Sequence, residues 1–574
     1  MAGQLRISVG QHSDKGRKET NQDFLGFSIP PEPQLTAKGA ALCLADGISS
    51  SPVSQVASQA AVNGFLADYY CTSDAWSVKK SARCVLFALH AWLHSQTRQS
   101  QFRYERDKGY VCAFSALIIK STTAYLFHAG DVRIYRLRNG ALELLTNDHR
   151  LWVSPVQSYL SRALGMNPHA ELDHREVPVE RDDVFLLATD GVYEHVDSTT
   201  IIETLAAAWN DLGEAARLIV RTAHDNGSDD NLSLQIARVD ALPDGRADEI
   251  VRQRNELPLP PALNARMELD GYRILREIRA SHRSHIYLAQ DMHTGTPVVL
   301  KTPSVDLSGD PAYLDRMLLE EWIARRVDNA HVLKAWPPHR QRSYLYVVTE
   351  FIEGQTLDQW MRDNPRPDVE TVRGIVEQIA RGLRALHRLE ILHQDLRPNN
   401  VMIDSAGTVK IIDFGAARVA GIVETASPLE AYQILGTEQY AAPEYFLGEG
   451  GTARSDLFSL GVITYQMLSG DLPYGAQVSR SRTRSAQTKL RYRSLTDGEL
   501  EVPLWMDEAI KKAVHPAPYR RHAALSEFLH DLRYPNAAFL RKARAPLLER
   551  NPAAFWRVVS LVLLVIVIVL LAND

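Results

Sequence analysis

His393-Gln394-Asp395-Leu396-Arg397-Pro398-Asn399-Asn400, followed by Asp413-Phe414-Gly415, is the stretch on which the reading of this 574-residue chain turns. Within a few positions it gathers a carboxylate, a guanidinium and an amide, then a second carboxylate beside a glycine. Upstream, Val298-Val299-Leu300-Lys301 ends a β-branched apolar run on a lysine. Phosphoryl transfer asks for little covalent help and much placement. It needs a cation on the phosphates, carboxylate and amide ligands for Mg2+, and a carboxylate near the acceptor hydroxyl. These residue types, in this order, meet that need.

Working outward, Gly436-Thr437-Glu438-Gln439-Tyr440-Ala441-Ala442-Pro443-Glu444 and Asp456-Leu457-Phe458-Ser459-Leu460-Gly461 follow in sequence. With them, residues 269–533 resemble the bacterial eukaryotic-like Ser/Thr protein kinases. The resemblance implies a bilobal fold that binds ATP with one or two Mg2+ or Mn2+ ions. Lys301 would hold the phosphates and pair with Glu320 or Glu321 on the next helix. Asp395 would be the catalytic base, Arg397 would face the γ-phosphate, and Asn400 and Asp413 would be metal ligands. Glu350 and Ile352 would lie along the nucleotide at the hinge, and Arg520 or Arg521 would pair with Glu444. Two departures stand out. Gln394 occupies the family's Arg position, which implies activity independent of loop phosphorylation. Arg279, Ser281 and Ser284 fall on the three positions of the glycine-rich loop, where any positive φ would cost roughly 1 kcal/mol or more. That second departure supports an alternative, a catalytically silent nucleotide-sensing domain that regulates its neighbour.

The first half is marked by acids. Asp23, Asp46, Asp131, Asp190 and Asp230 each sit at or just after an apolar strand-like run, several beside Gly. Carboxylates at strand ends can converge on one edge of a sheet sandwich, and such hard oxygen donors suit Mg2+ or Mn2+. Strands are expected over 41–45, 114–119, 124–129, 132–137, 184–189 and 232–239, and helices over 55–70 and 81–96. The motifs Thr20-Asn21-Gln22-Asp23, Leu44-Ala45-Asp46-Gly47-Ile48, Gly130-Asp131-Val132, Thr146-Asn147-Asp148-His149, Ala188-Thr189-Asp190-Gly191 and Ser228-Asp229-Asp230-Asn231 resemble those of the PPM, or protein phosphatase 2C, family. That resemblance implies an αββα sandwich with two or three metal ions. Asp46 would bridge two of them, with the Gly47 carbonyl, Asp23, Asp190 and Asp230 completing the pair, and Asp131 at a third. Lys18 falls where the family carries a phosphate-gripping Arg, and a Lys is a point charge rather than a bidentate fork.

Composition sets the frame. The chain is 45% hydrophobic and 23% charged with net charge −5, which gives no basic balance for nucleic acid. Its four cysteines lack a C-x-x-C pair, which argues against zinc and disulfides. No apolar stretch follows Met1, so no signal peptide is expected. From Val558 to Leu571 all residues but Ser560 are Val, Leu or Ile. With 553–557 this makes about 20 residues, enough for a bilayer. Arg541, Lys542, Arg544, Arg550 and Arg557 precede or flank it, which would leave the catalytic parts in the cytoplasm, at a bacterial inner membrane.

The resulting expectation is an α+β multidomain protein: phosphatase 1–240, Pro-containing linker 241–268, kinase 269–535, basic juxtamembrane segment 536–554 and a single transmembrane helix 555–572. Its substrates would be proteins carrying Ser/Thr or their phosphorylated forms, the chain itself among them.

Overall fold

The computed structural model describes residues 4–154, 157–243, 257–281, 284–304, 310–337, 340, 342–422, 439–497, 502–536, 539 and 555–563. The expectations for 244–256 of the linker, 436–438 of the activation segment, most of 536–554 and 564–572 of the apolar tail lie outside the described residues. Residues 555–563 are helical. Among the described residues no helix is long and apolar enough to cross a membrane.

The chain divides into two compact units. The first comprises residues 1–353, 385–393 and 412–426, and the second comprises 354–384, 394–411 and 427–574.

The first unit begins with a two-sheet sandwich. Its strands are β1 (Arg6–Asp14), β2 (Phe24–Ser28), β3 (Ala40–Gly47), β4 (Cys112–Lys120), β5 (Thr123–Ala129), β6 (Arg133–Arg138), β7 (Ala141–Leu144), β8 (Arg150–Ser154), β9 (Gln157–Leu160), β10 (Asp173–Pro178), β11 (Val184–Ala188) and β12 (Leu232–Ala241). One sheet runs β1-β12-β11-β6-β7 and the other β10-β5-β4-β3-β2, with β8 and β9 paired separately.

The unbroken apolar run of β11 follows from being covered on both faces. Phe185 and Leu187 point between the sheets, among Leu42, Leu44, Leu117 and Leu126. Val184 and Leu186 point outward, against Leu205, Ile219 and Val220 of helices Ser198–Ala207 and Leu212–Asp225. Each such buried side chain stabilises by about 1.5–3 kcal/mol. On the other side, helix Ser54–Cys71 packs on β2, β3 and β4, with Phe65 edge-on to Phe114 at 5.6 Å. Helix Val78–Gln99 packs beside it. The Ser77, Asp197 and Asp211 side chains cap three of these helices by accepting from Lys80, Thr200 and Glu214 N–H groups, each cap contributing about 1 kcal/mol.

A five-stranded antiparallel meander follows in the same unit: β13 (Glu268–Leu269), β14 (Tyr272–Ala280), β15 (Ser284–Asp291), β16 (Pro297–Pro303) and β17 (Val347–Glu350). Leu263 is buried in its core, and the Pro258 carbonyl accepts from Leu345 N–H, so the end of the expected linker belongs to this sheet. Helix Pro311–Arg326 starts at Asp310, whose carboxylate accepts from Ala312 and Tyr313 N–H, with a proline at the helix start.

The second unit holds a small sheet of Gly354–Thr356, Val401–Asp404 and Val409–Ile411 and a set of helices that includes Ala453–Ser469, Leu504–Ala513 and Leu525–Arg533. Ala453–Ser469 is apolar nearly all round and correspondingly buried along most of its length. Its Thr452 forms a capping box with Ser455.

Candidate functional sites

In the sandwich, the ends of β3 and β11 and the turns after β5 and before β12 bring acids to one cleft. It measures about 600 Å³ and is lined by Asp46, Gly47, Asp131, Arg150, Asp190 and Asp230, among others. Gly47 is required by space: a Cβ there would lie 2.8 Å from Ser54 Cβ and 2.9 Å from the Gln22 carbonyl. Gly130, at φ 120, lets Asp131 follow a turn whose Cβ would meet Ala113 at 2.3 Å. Asp23 lies deeper, 5% exposed, and accepts from the Thr189 hydroxyl at 3.1 Å.

Five carboxylates crowd this edge, and their protonation reflects it. Burial above all pushes Asp23 up to about 7, with Asp190 adding repulsion. Burial, then the charges of Asp131 and Asp230, push Asp190 to about 7. Asp46 is driven well above the ordinary carboxylate range by burial and by the other four acids. A polyanionic pocket of this kind fits divalent cations with oxygen ligands. Among the described residues, no three acidic, His or Cys side chains converge as ligands of one point. What bridges the cluster is the Arg150 guanidinium, 2.7 Å from Asp131, 2.6 Å from Asp190 and 2.8 Å from Glu194. Lys18 stands at the rim, 3.3 Å from Asp230 and 3.4 Å from the Ser49 hydroxyl.

Sequence reasoning assigned no role to Arg150, Glu194, Thr189 or Asn231. Asn231 accepts from Gln22 N–H and donates to the Lys15 and Thr20 carbonyls, which ties down the loop carrying Lys18 and Asp23. The one available signal for Arg150 was its place directly after Asp148-His149.

In the meander, Lys301 on β16 pairs with Glu320 Oε2 at 2.7 Å. Burial works to lower the Lys301 pKa, but the charges of Glu320 and Asp413 outweigh it and the amine is held protonated. Glu321 is turned elsewhere. It is fully buried, and although burial raises its pKa, Arg325 and Arg342 win and hold it at about 2. Asp413 accepts from Gly415 N–H at 3.0 Å. Glu350, the last residue of β17, accepts from Lys334 N–H through its side chain, and Ile352 is buried. The expected loop strain is not realised at Arg279 and Ser281. Arg279 lies within β14 opposite Ile286, and Ser281 has no positive φ; its N–H and hydroxyl donate to the Ser284 carbonyl. Ser281 and Ser284 thus bind each other where the glycine-rich loop was expected.

The second unit holds Asp395, Arg397 and Asn400. Asn400 Nδ2 donates to the Asp395 carboxylate at 3.0 Å and to its carbonyl at 2.9 Å. Arg397 Nε lies 3.4 Å from Asn400 Oδ1 and 3.8 Å from Asp395 Oδ2. Gln394 takes a left-handed φ of 64, with its N–H donating to Asp456 at 3.0 Å. Of the two arginines expected near Glu444, Arg521 makes the pair, bidentate at 2.6 and 2.8 Å with both side chains buried.

A metal-phosphatase-like sandwich and a kinase-like constellation thus occur in one chain. Residues 11–224 match the protein phosphatase 2C family and residues 272–532 match the protein kinase domain family; the chain carries one domain of each. Among its relatives is the serine/threonine-protein kinase PknA of Corynebacterium glutamicum, 32% identical over 216 residues, covering 37% of this chain and 45% of that protein. Another is PrkC of Bacillus subtilis, 26% identical over 265 residues, covering 46% of this chain and 40% of that one. The chain therefore spans less than half the length of these two curated relatives. Among solved structures, the catalytic domain of the phosphatase PstP, in complex with two manganese ions, is 24% identical with a TM-score of 0.34. That match covers 41% of this chain and 99% of PstP's.

Proposed function

We propose that the chain is a bifunctional signalling enzyme that phosphorylates protein Ser/Thr with ATP and removes phosphate from phosphoSer/phosphoThr. The observation that carries the reading is the pairing of two charge constellations in one polypeptide: the buried acid cluster around Asp46 and the Lys301–Glu320 ion pair.

In the phosphatase domain, Asp46, the Gly47 carbonyl, Asp23, Asp190, Asp230 and Asp131 would hold two or three Mg2+ or Mn2+ ions. Bound there, such ions supply an acidic water and neutralise phosphate charge. The chain's own share is placement. Asn231 fixes the loop bearing Lys18, Lys18 offers a rim cation to the substrate phosphate, and Arg150 balances Asp131 and Asp190 until they are otherwise neutralised. In the kinase domain, Lys301 takes the ATP phosphates and Glu320 keeps its amine aimed. Asp395 would accept the proton of the attacking hydroxyl, Arg397 would face the transferred group, and Asn400 and Asp413 would hold Mg2+. Glu350 and Ile352 lie along the base.

The apolar run 558–571 and the basic residues before it support anchoring to a membrane with both domains in the cytoplasm. Carrying both activities on one polypeptide raises the local concentration of each towards the other domain to about a millimolar.

Hydrolysis of a phosphothreonine peptide in Mn2+ tests the eraser: Asp46→Asn should lower the rate at least a hundredfold, and an unchanged rate would refute the assignment. A second reading is favoured by Arg279, Ser281 and Ser284 standing at the three expected glycine positions: a silent nucleotide sensor. ATP would then change the phosphatase rate with no phosphate appearing on protein.

A further inference from the structure

Helix Pro311–Arg326 presents Glu320 to Lys301 and is buried elsewhere on its surface. Met317, Leu318, Glu321, Trp322, Ile323 and Ala324 are all buried, and they run around the helix rather than along one stripe. A helix buried on more than one side needs a second covering surface.

The phosphatase domain supplies it. Trp322 is fully buried, its indole N–H donates to the Asp68 carbonyl at 3.2 Å, and its ring lies 6.2 Å from that of Trp76. One turn on, Arg326 forms an ion pair with the Asp68 carboxylate at 2.7 Å, with side chains 4% and 13% exposed. Lys80 pairs with Asp315 nearer the helix start, and Arg325 approaches the Thr72 carbonyl at 3.5 Å. Helix Val78–Gln99 also grips the segment just before His393 and the one after Gly415. Trp92 Nε1 donates to the Arg388 carbonyl at 3.1 Å and the Ser95 hydroxyl to Glu390 at 2.7 Å. Gly421, at φ +84, comes so close to the Val78–Gln99 helix that a Cβ there would sit 2.3 Å from the Phe87 carbonyl oxygen.

We propose that the phosphatase domain is the built-in positioning partner of the kinase: Asp68 and Trp76 hold helix Pro311–Arg326 so that Glu320 stays on Lys301. The proposal rests on the kinase reading of Lys301. An uncovered helix would expose Trp322, whose side chain buries on the order of 150–250 Å². It would also leave Arg326 without its carboxylate. Asp68 and Trp76 meet the helix at Trp322 and Arg326 rather than at Glu320 or Lys301, so they act through the helix.

The test uses the full chain. ADP release with dephosphorylated casein as acceptor reports the kinase, and p-nitrophenyl phosphate hydrolysis in Mn2+ reports the phosphatase. Asp68→Arg should lower the kinase kcat at least tenfold while the phosphatase rate stays within twofold. Adding Arg326→Asp to restore the opposite charges should return kcat to within threefold of the parent. Hydrogen exchange of residues 311–326 should speed up about tenfold in Asp68→Arg and revert in the charge swap. An unchanged kcat in Asp68→Arg, or losses that multiply in the double variant, would overturn the proposal. No ADP release from the parent chain would sink the kinase reading instead. The exchange rates then decide the clamp alone: unchanged exchange in Asp68→Arg refutes it, and faster exchange reversed by the swap sustains it.

Discussion

Arg150→Met removes the guanidinium that bridges the acid cluster. Its side chain is 12% exposed and reaches Asp131, Asp190 and Glu194 at 2.6–2.8 Å. Hydrogen bonds to charged groups contribute about 1.5–3 kcal/mol each. A divalent ion taken up by Asp131 and Asp190 has to displace at least one of these contacts, while Glu194 at the rim can keep its own. The displaced contact is then a competition of about 1.5–3 kcal/mol, or roughly a factor of 10 to 100 in Kd. Calorimetric titration of the metal-free chain with Mn2+ should therefore show Arg150→Met binding about 10- to 100-fold tighter than the parent. The metal-free variant should also unfold at lower temperature, since its carboxylates have lost their counter-charge. Equal or weaker Mn2+ affinity would refute the view that Arg150 occupies the place of a cation.

The other predictions concern charge and packing. Asp23 is raised to about 7 from an unfolded value near 3.8, so the metal-free fold keeps a proton that the unfolded chain has lost. Its contribution is greatest below the unfolded value and is lost as pH rises from about 4 to about 7, by on the order of 4 kcal/mol. Thermal unfolding in chelator should show the phosphatase transition dropping from about pH 4 to about pH 7 and levelling above that, and Mn2+ should abolish that slope. Glu321 behaves oppositely: held at about 2, it stabilises above its unfolded value near 4.5, and that stability is lost as pH falls towards 2. Arg521→Ala leaves Glu444, 3% exposed, with the Ser455 hydroxyl among the described residues. It should cost about 3–5 kcal/mol of kinase-domain stability, measured by urea unfolding. Arg521→Lys should recover little of it, because a point charge cannot replace the bidentate fork.

What the sequence disclosed follows from how local each signal is. The runs behind β3, β4, β5, β11 and β12 are long and apolar because both faces are covered, so they read as strands unaided. β10, Asp173–Pro178, is an edge strand with one buried residue, Val177. Its Asp, His, Arg and Glu look like a loop until β5 pairs with it. β1 alternates too weakly to be recognised without β12 beside it. The acids were legible because each sits next to a strand end or a glycine. Arg150 was not, because its partners lie 19, 40 and 44 positions away. Likewise the choice between Glu320 and Glu321 depends on Arg325 and Arg342, which claim Glu321 and leave Glu320 facing Lys301. The missing loop glycines read as strain, whereas Arg279 stays in strand register and neither it nor Ser281 takes a positive φ.

Incorporation of γ-labelled phosphate tests the central claim most directly. The full chain carrying Asp46→Asn and Asp190→Asn, with its eraser disabled, is compared with the same chain also carrying Asp395→Asn. The account predicts label on Ser or Thr in the first and none in the second. Equal labelling in both, or none in either with acceptor proteins supplied, would contradict it.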